Sequence, residues 1–274
     1  MRKTVKEAVP RPKFWRDSIV GDILKDEPWN PSLTRDPRAQ IHREHIEGYF
    51  GRRIQVLGEK KRLIEILGYG DQIVTKAIPI IEPVLKSNPN DTKLWNILVR
   101  TFHSLPFMGG VGRYIRFFIR NSIDNQIVGC LSLGSAVLKC ADRDKWIGWN
   151  MEERLRNLNK VANNRRFMIL PHVRVPNLAS RALSLLCDEG AEEWRRRYGD
   201  PLVLIETFID SEHHGTCYKA SNWIMIGETK GFTHIVSRIK KSADENVSVY
   251  LYTGRKKQIF ARPLRKSWRN ELTK

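Results

Sequence analysis

The chain has 274 residues, enough for one large domain or two small ones, and its 41% hydrophobic content with eight Trp is sufficient for a packed core. It contains no run of roughly 18 to 20 apolar residues, and no apolar segment follows its basic start, so we expect a cytoplasmic protein that is neither membrane-spanning nor secreted. Four widely spaced cysteines without a CxxC pair argue against a zinc ribbon or a disulfide framework.

The net charge of +18 is concentrated in the two ends of the chain. Residues 230–274 carry 12 Lys and Arg against three Asp and Glu, and residues 1–62 carry 15 against nine. Basic segments of this kind hold phosphates and release counterions. The charge therefore favours a nucleic-acid partner over mere solubility, and also over an anionic membrane surface, because the basic segments lack a long amphipathic apolar face.

The N-terminal third is predicted to be mostly helical. Residues 1–37 are rich in Pro and charge and predict an extended arm, whereas residues 38–68 have a helical pattern of apolar positions. Two prolines interrupt the apolar stretch that follows, and the next helix is predicted to end near Ser104. We therefore expect residues 1–105 to form a helical arm and cap.

The remaining elements predict a sheet. RYIRFFIR and IVGCLSLGSAVL flank a turn and predict an antiparallel hairpin. A helix, the strand RFMILPHVRV, a long helix ending at Gly199, the strand PLVLIETFID and a short helix follow, and VSVYLYT is expected to close the sheet. The predicted fold class is α/β (α+β), with a mixed central sheet flanked by helices in residues 106–254 and a basic C-terminal tail in residues 255–274.

The order of these elements, and the loop after the strand that ends near Val173, resemble the core of GCN5-related N-acyltransferases. Residues 174–179 read Arg-Val-Pro-Asn-Leu-Ala, where that family has Arg/Gln-x-x-Gly-x-Gly/Ala. In the family this loop cradles the diphosphate of coenzyme A with N–H groups at a helix N-terminus. The resemblance implies that acyl-CoA is the cofactor if the chain is an active enzyme. It also implies that four residues contact this cofactor: Arg174, Asn177, Ala179 and Ser180. Asn177 replaces the central glycine and Pro176 has no N–H, so a plain helix N-cap is the alternative for Asn177.

The same resemblance implies a glutamate base and a tyrosine acid. Glu206 is the first carboxylate available in the central strands, and Tyr218 stands in for the tyrosine because Trp223 occupies the family's position. The alternatives are a paired strand carboxylate for Glu206 and a packed aromatic ring for Tyr218. The HHxxC sequence at residues 213–217 has no second ligand cluster, so a polar turn is favoured over a metal site.

Three segments resemble the DruA family: RDKWIGW (143–149), NNRRFMILPHVRVPNLASRALSLL (163–186) and ETFIDSEHHGTCYKASNWIMIGETKG (206–231). The resemblance implies anti-phage defence, phage or mobile-element biology, action on DNA, and a larger defence or transposition complex. The core also resembles the phage Mom protein, which modifies adenine in DNA. Two functions follow: a DNA-binding protein, or an N-acyltransferase that modifies nucleobases with an acyl-CoA-derived group. An RNA-associated enzyme acetylating a basic partner is disfavoured because like charges repel.

Strand ends and the helix starts after them face one side of such a sheet, where ligands bind. We therefore expect the polar residues of these motifs to line one cleft: Asp144, Trp146, Asn164, Thr207, Thr216, Asn222, Trp223 and Glu228. The expected nucleic-acid contacts are Arg143, Arg165, Lys230, Arg255, Lys256, Lys257, Arg265, Lys266 and Arg269. The alternatives are an ion pair between Asp144 and Arg165 and core positions for the two tryptophans.

Overall fold

The computed structural model describes residues 73–85, 87–103, 112–210, 213–236, 248–252 and 256–274. The predicted arm and the helical pattern of residues 38–68 lie outside these ranges, as does Arg255. No helix in the described ranges is long and apolar enough to cross a membrane.

Nine strands occur in the described ranges. They are β1 (Pro79–Pro83), β2 (Tyr114–Asn121), β3 (Ile127–Ser135), β4 (Val161–Ile169), β5 (Leu204–Asp210), β6 (Ile224–Glu228), β7 (Phe232–Val236), β8 (Ser248–Tyr252) and β9 (Lys257–Pro263). Seven of them form one sheet in the order β1-β2-β3-β4-β5-β9-β6. All neighbours in this sheet are antiparallel except β4 and β5, which run parallel. The predicted mixed sheet with flanking helices is therefore confirmed.

Seven helices accompany the strands in the same ranges. They are α1 (Pro89–Phe102), α2 (Ala141–Ile147), α3 (Met151–Asn157), α4 (Leu178–Leu185), α5 (Ala191–Tyr198), α6 (Thr216–Ala220) and α7 (Trp268–Thr273). A π-helical turn, Leu186–Gly190, joins α4 to α5, so the predicted long helix is continuous. It ends at Gly199, whose φ of 79° lies in the left-handed region that glycine adopts without strain.

Side chains of the central strands alternate between two hydrophobic clusters, one on each face of the sheet. Ile205 and Phe260 belong to the larger cluster. Leu204 and Ala261 belong to the smaller cluster, beneath α2 and α7. Consecutive residues of β5 therefore point to opposite faces, as the period of two requires.

The predicted domain boundaries separate segments that the sheet joins. β1 lies in the segment that was predicted to belong to a helical arm and cap, and it pairs with β2 along its whole length. The predicted tail, residues 255–274, contains β9, which lies between β5 and β6. α7 is fastened to the core because Trp149 Nε1 and Asn157 Nδ2 both donate to the Leu272 carbonyl, at 2.5 and 2.9 Å. VSVYLYT forms β8 and pairs only with β7 in the described ranges, so its predicted place in the sheet was wrong.

Candidate functional site

The parallel strands β4 and β5 separate after three residue pairs. Val161–Asn163 pairs with Leu204–Glu206, and beyond this point the Thr207 hydroxyl donates to the Asn164 carbonyl at 3.0 Å. On their other sides β4 remains paired with β3 and β5 with β9. The parted strand edges therefore face each other across a wedge, which we call the cleft.

The cleft has a volume of about 460 Å³ and is lined by the far halves of β4 and β5 and by the segment that leads into α6. Its lining residues are His103, Asn164, Arg165, Phe167, Thr207, Phe208, Ile209, Asp210, His213, His214, Gly215, Thr216, Cys217 and Tyr218. The structure thus brings together five of the predicted residues: Asn164, Arg165, Thr207, Thr216 and Tyr218. Within the described part of the chain, no three His, Cys, Asp or Glu side chains are grouped closely enough to hold a metal ion.

The Asn164 side chain connects strands β3 and β4 to helix α6. Its Nδ2 donates to the carbonyls of Ser132 and Arg166, both at 3.0 Å, and its Oδ1 accepts the Tyr218 hydroxyl at 2.8 Å. Opposite β3, β4 contains one extra residue at Arg165, which makes a β-bulge. A bulge removes a residue from the ladder and re-aims its side chain. Asn164 therefore holds the bulge that directs Arg165.

Tyr218 forms a buried wall of the cleft. Its ring packs against Trp223, Phe167 and Phe260, with centroids 5.1, 5.9 and 6.0 Å away. Burial raises the pKa of Tyr218 well above that of a free phenol. The hydroxyl therefore stays protonated, with its proton directed at Asn164. Tyr218 is therefore a packed aromatic ring, which was the alternative to a catalytic acid.

Glu206 lies on the opposite face of the sheet from Tyr218. It is fully buried, with Oε1 accepting the Val137 N–H at 2.9 Å and Oε2 accepting Arg143 Nη1 at 3.0 Å. Burial raises the pKa of Glu206, and the positive charge of Arg143 opposes that rise. Thr207, its neighbour in β5, faces the cleft. The structure therefore does not bring Glu206 and Tyr218 together as a base and an acid, and Glu206 is a paired strand carboxylate.

Arg143 is fully buried and cannot reach a phosphate, so its assignment as a nucleic-acid contact was wrong. Its Nε and Nη2 donate to Asp144 Oδ1 at 2.9 and 2.7 Å. Asp144 Oδ2 accepts Arg154 Nη1 at 3.1 Å. Asp144 is therefore paired with Arg143 and Arg154 and lies away from the cleft, and the suggested ion pair with Arg165 is not formed.

The loop that resembles a diphosphate cradle offers few N–H groups. The Arg174 N–H donates to the Val74 carbonyl at 2.8 Å, and the Leu178 N–H donates to the Val175 carbonyl at 3.3 Å. Pro176 has no N–H. Arg174, Pro176 and Leu178 are thus unable to donate to phosphate oxygens, so only the alternate positions Val175, Asn177 and Ala179 could do so.

Asn177 adopts the conformation in which the family has glycine. Its φ of 59° and ψ of 5° are left-handed. Asn177 occupies the N-cap position of α4, as the alternative proposed, but its side chain makes no capping hydrogen bond. Ser180 Oγ donates to the Asn177 carbonyl at 3.0 Å. The hydroxyl predicted to contact a cofactor is thus bonded within its own helix turn, while Ala179 is half-buried.

The predicted basic contacts are divided between the two ends of the sheet. β9 runs antiparallel to β5, so Lys257 lies opposite Asp210 at the end that contains the cleft, and Pro263 lies opposite Leu204 at the far end. The cleft end includes Lys230, Lys256 and Lys257, and the far end includes Arg265, Lys266 and Arg269. The C-terminal cations therefore do not form one surface with the cleft.

Two of the far-end cations have structural partners. Arg269 lies over the ring of Trp268 at 4.4 Å, and Trp268 stacks on Trp146 with centroids 4.4 Å apart. Arg269 Nη1 also donates to the Trp146 carbonyl at 2.7 Å. Arg265 pairs with Glu271 at 3.1 Å. These contacts fasten α7 to α2, and Trp146 belongs to this junction and not to the cleft.

The last three predicted cleft residues lie outside it. Trp223 is 4% exposed and packs against Tyr218, as the core alternative proposed. Asn222 is exposed, and its carbonyl accepts Arg262 Nη1 at 3.1 Å. Glu228 is exposed on the edge strand β6.

Three arginines lie together near Tyr114, and we call them the arginine cluster: Arg116, Arg165 and Arg166. Arg165 was predicted as a nucleic-acid contact, whereas Arg116 and Arg166 were missed. The guanidinium carbons of Arg116 and Arg165 lie 4.9 and 5.7 Å from the Tyr114 ring centroid. Arg116 also lies 5.5 Å from the Trp95 ring. Arg166 Nη1 donates to the Arg165 carbonyl at 2.8 Å. The segments RYIR (113–116) and NNRR (163–166) were the available signal. RYIR was interpreted as strand pattern alone, and within NNRR only Arg165 was assigned a nucleic-acid contact.

The arginine cluster is electrostatically exceptional. Burial lowers the pKa of the Arg116 and Arg166 guanidinium groups. In the ranges that the structure covers, neither Arg116 nor Arg165 forms an ion pair. Arg165 also lines the cleft, so this positive charge adjoins it. Such a site can bind an anion.

Comparison with known proteins identifies relatives by sequence. Residues 40–241 match the family described as Druantia protein DruA. The Druantia protein DruA of Escherichia coli (strain UMEA 4076-1) is 26% identical over 126 residues, which make up 45% of this chain and 31% of that protein. The match thus spans less than one third of the length of this curated relative.

Two solved structures are similar to part of the chain. Spermidine N-acetyltransferase from Vibrio cholerae, in complex with CoA and spermine, has a TM-score of 0.38 at 11% identity and covers 68% of this chain and 95% of its own. Arabidopsis thaliana NAA60, in complex with a bisubstrate analogue, has a TM-score of 0.42 at 10% identity and covers 68% of this chain and 98% of its own.

Proposed function

The chain belongs to the DruA family of anti-phage defence components, and we propose that it binds DNA through the arginine cluster beside the cleft. The observation that carries the proposal is the convergence of Arg116 and Arg165 on one tyrosine ring, with Arg166 hydrogen-bonded to the Arg165 carbonyl beside them. Guanidinium groups bind phosphate through paired hydrogen bonds and also stack on flat rings. The cluster offers both modes of contact.

The energetics of the cluster favour an anionic ligand. The lowered pKa of Arg116 means that its surroundings destabilise the charged form, and an anion would relieve this cost. A neutral ligand would leave two or three like charges close together. Lys230 and Lys256, at the same end of the sheet, extend the positive surface. The far-end cations contribute long-range attraction only.

The proposal places the chain on DNA in the cytoplasm, as part of a larger complex in defence, phage or mobile-element biology. The curated relative is much longer than the matched segment, which agrees with a module that works beside further domains or partners. The alternative, an N-acyltransferase that modifies nucleobases, has less support. Glu206 is turned away from the cleft, and three of the six positions of the 174–179 loop have no N–H group available to a diphosphate.

The test is DNA binding by fluorescence anisotropy across a range of salt concentrations. Arg165→Gln removes one charge at the cleft, and Lys266→Gln removes one exposed charge at the far end as a matched control. We expect Arg165→Gln to weaken binding roughly tenfold and to reduce the slope of log affinity against log salt by about 1. Lys266→Gln should change both quantities far less.

Each outcome is decisive for the proposal. Equal losses of DNA affinity in the two variants would mean that binding depends on net charge alone, and this would contradict a specific binding site at the arginine cluster. If the unaltered chain shows no salt-dependent DNA binding, the proposed function is disproved. A saturable thermal shift with acyl-CoA, together with a new nucleoside mass in DNA from expressing cells, would support the acyltransferase alternative instead.

A further inference from the structure

Arg165 belongs both to the arginine cluster and to the wall of the cleft. A phosphate held by Arg165 would therefore lie beside the cleft, and the rest of its nucleotide would be next to the opening between β4 and β5. The size, the lining and the charges of the cleft decide which part of a nucleic acid it accepts.

The size of the cleft suits a single nucleotide. Its volume of about 460 Å³ lies in the lower part of the range of ligand pockets, about 300–1,000 Å³. In an intact duplex each base is stacked and paired, so it cannot enter a wedge between two strands. A base can enter only if it is unpaired or turned out of the helix.

The lining combines flat apolar surfaces with polar groups. The rings of Phe167 and Tyr218 meet nearly at right angles, with an interplanar angle of 78°. Aromatic rings of this kind stack on nucleobases. Thr216, His213 and His214 are exposed at the cleft and can donate or accept hydrogen bonds at a base edge.

The charges in the cleft give the ligand an orientation. Asp210 lies in the wall and is 5% exposed, whereas Arg165 lies at the side of the arginine cluster. A carboxylate repels phosphate but tolerates a neutral base. The phosphate therefore belongs at Arg165 and the uncharged part of the nucleotide belongs in the cleft.

We infer that the cleft receives one unpaired nucleobase of DNA, so that the chain binds single-stranded DNA, or a base extruded from a duplex, more tightly than intact duplex. This inference rests on the proposed function, because the arginine cluster holds the phosphate of the same nucleotide. It adds a ligand site formed by Phe167, Thr216 and Tyr218.

The experiment uses the full chain and a short DNA strand that contains one 2-aminopurine, free or annealed to its complement. Thr216→Trp fills the cleft from an exposed position, and Phe167→Leu removes a stacking ring with little change in volume. Asn159→Trp is the matched control, since Asn159 is exposed in the 3-10 turn Leu158–Lys160 before β4. Stacking of one base changes affinity by roughly fivefold or more. We therefore expect the unaltered chain to bind the single strand at least about fivefold more tightly than the duplex.

The expected result is a change in 2-aminopurine fluorescence with the unaltered chain and with Asn159→Trp. Thr216→Trp and Phe167→Leu should bind single strand and duplex alike, while their salt-dependent affinity for duplex is retained. That retained affinity separates a failure of this inference from a failure of DNA binding itself.

Three results would overturn the inference. One is equal affinity of the unaltered chain for single strand and duplex. Another is a single-strand preference that persists in both cleft variants. The third is tighter binding of single-stranded RNA, or of free deoxynucleoside monophosphates, than of the DNA strand, which would assign the cleft to a different nucleotide source.

Discussion

The side chain of Arg165 lies directly over Gly134 on the neighbouring strand β3. A Cβ atom at Gly134 would overlap the Arg165 side chain and press on the ring of Tyr114. The absence of a side chain at this position therefore lets the arginine lie flat on the sheet. Gly134 sets the position of the arginine cluster without contributing charge.

Gly134→Ala should consequently weaken DNA binding although every charge is kept. The added methyl group displaces Arg165, and we expect up to the roughly tenfold loss of Arg165→Gln, with a stability cost of about 1–3 kcal/mol from overpacking. Anisotropy measures the affinity. In the double variant with Arg165→Gln, the glycine substitution should have no further effect on affinity, and an additive loss would contradict this account.

Glu206→Gln should destabilise the fold strongly. The substitution leaves Arg143 buried with one carboxylate fewer, and breaking a buried ion pair costs about 3–5 kcal/mol. Urea unfolding measures the difference. Glu228→Gln removes an exposed carboxylate and should cost less than about 0.5 kcal/mol. Similar stabilities for the two variants would contradict the structural role of Glu206.

Tyr218→Phe should alter how stability depends on pH. Loss of the hydroxyl leaves the buried Asn164 Oδ1 without its donor, at a cost of about 1–3 kcal/mol near neutral pH. Because burial raises the pKa of Tyr218 above its unfolded value of about 10, its contribution is complete below that pH and is lost as the pH rises further. Melting temperatures of the variant should therefore decline less in this alkaline range than those of the unaltered chain.

Gly227→Ala should weaken the contact between α2 and β6. A Cβ atom there would overlap the Asp142 side chain, whose Oδ2 accepts the Glu228 N–H at 2.9 Å. We expect a loss of about 1–3 kcal/mol in unfolding free energy. Asp142→Ala removes the atoms that the methyl group meets, so the double variant should lose less than the sum of the single losses.

The four cysteines should react slowly with Ellman's reagent in the native protein. Burial raises the pKa of Cys140 to about 11 and that of Cys187 to about 12, and it also raises the pKa values of Cys130 and Cys217. Since the thiolate is the nucleophile, native reaction at about pH 8 should be at least about tenfold slower than in denaturant. The half-buried Cys217 should react first, and a native thiol that reacts as fast as free cysteine would contradict these environments.

Local patterns predicted the elements whose partners are close in sequence. The hairpin of β2 and β3, the long helix ending at Gly199 and the strand β5 all follow from periodicity and turn residues. β9 was missed because its buried residues Ile259, Phe260 and Ala261 lie among cations, so the segment has the composition of a tail. Its insertion between β5 and β6 depends on contacts with distant residues, which no local pattern reports.

Only part of the candidate site could be predicted from the sequence, again because local patterns do not report contacts with distant residues. Asn164, Thr207 and Tyr218 meet because strand ends and the following helix converge on one side of the sheet. Glu206 was assigned to the same place, but neighbouring strand residues point to opposite faces. The choice of face depends on which cluster each strand packs against, and the helices that cover the sheet decide it.

The position of β9 has a consequence for synthesis of the chain. Until residues 257–263 have emerged from the ribosome, the edges of β5 and β6 that later pair with β9 have no partner. A nascent chain that stalls before this point exposes two open strand edges, which are prone to pair with other chains. Pairing of both edges therefore has to wait until β9 has been synthesised.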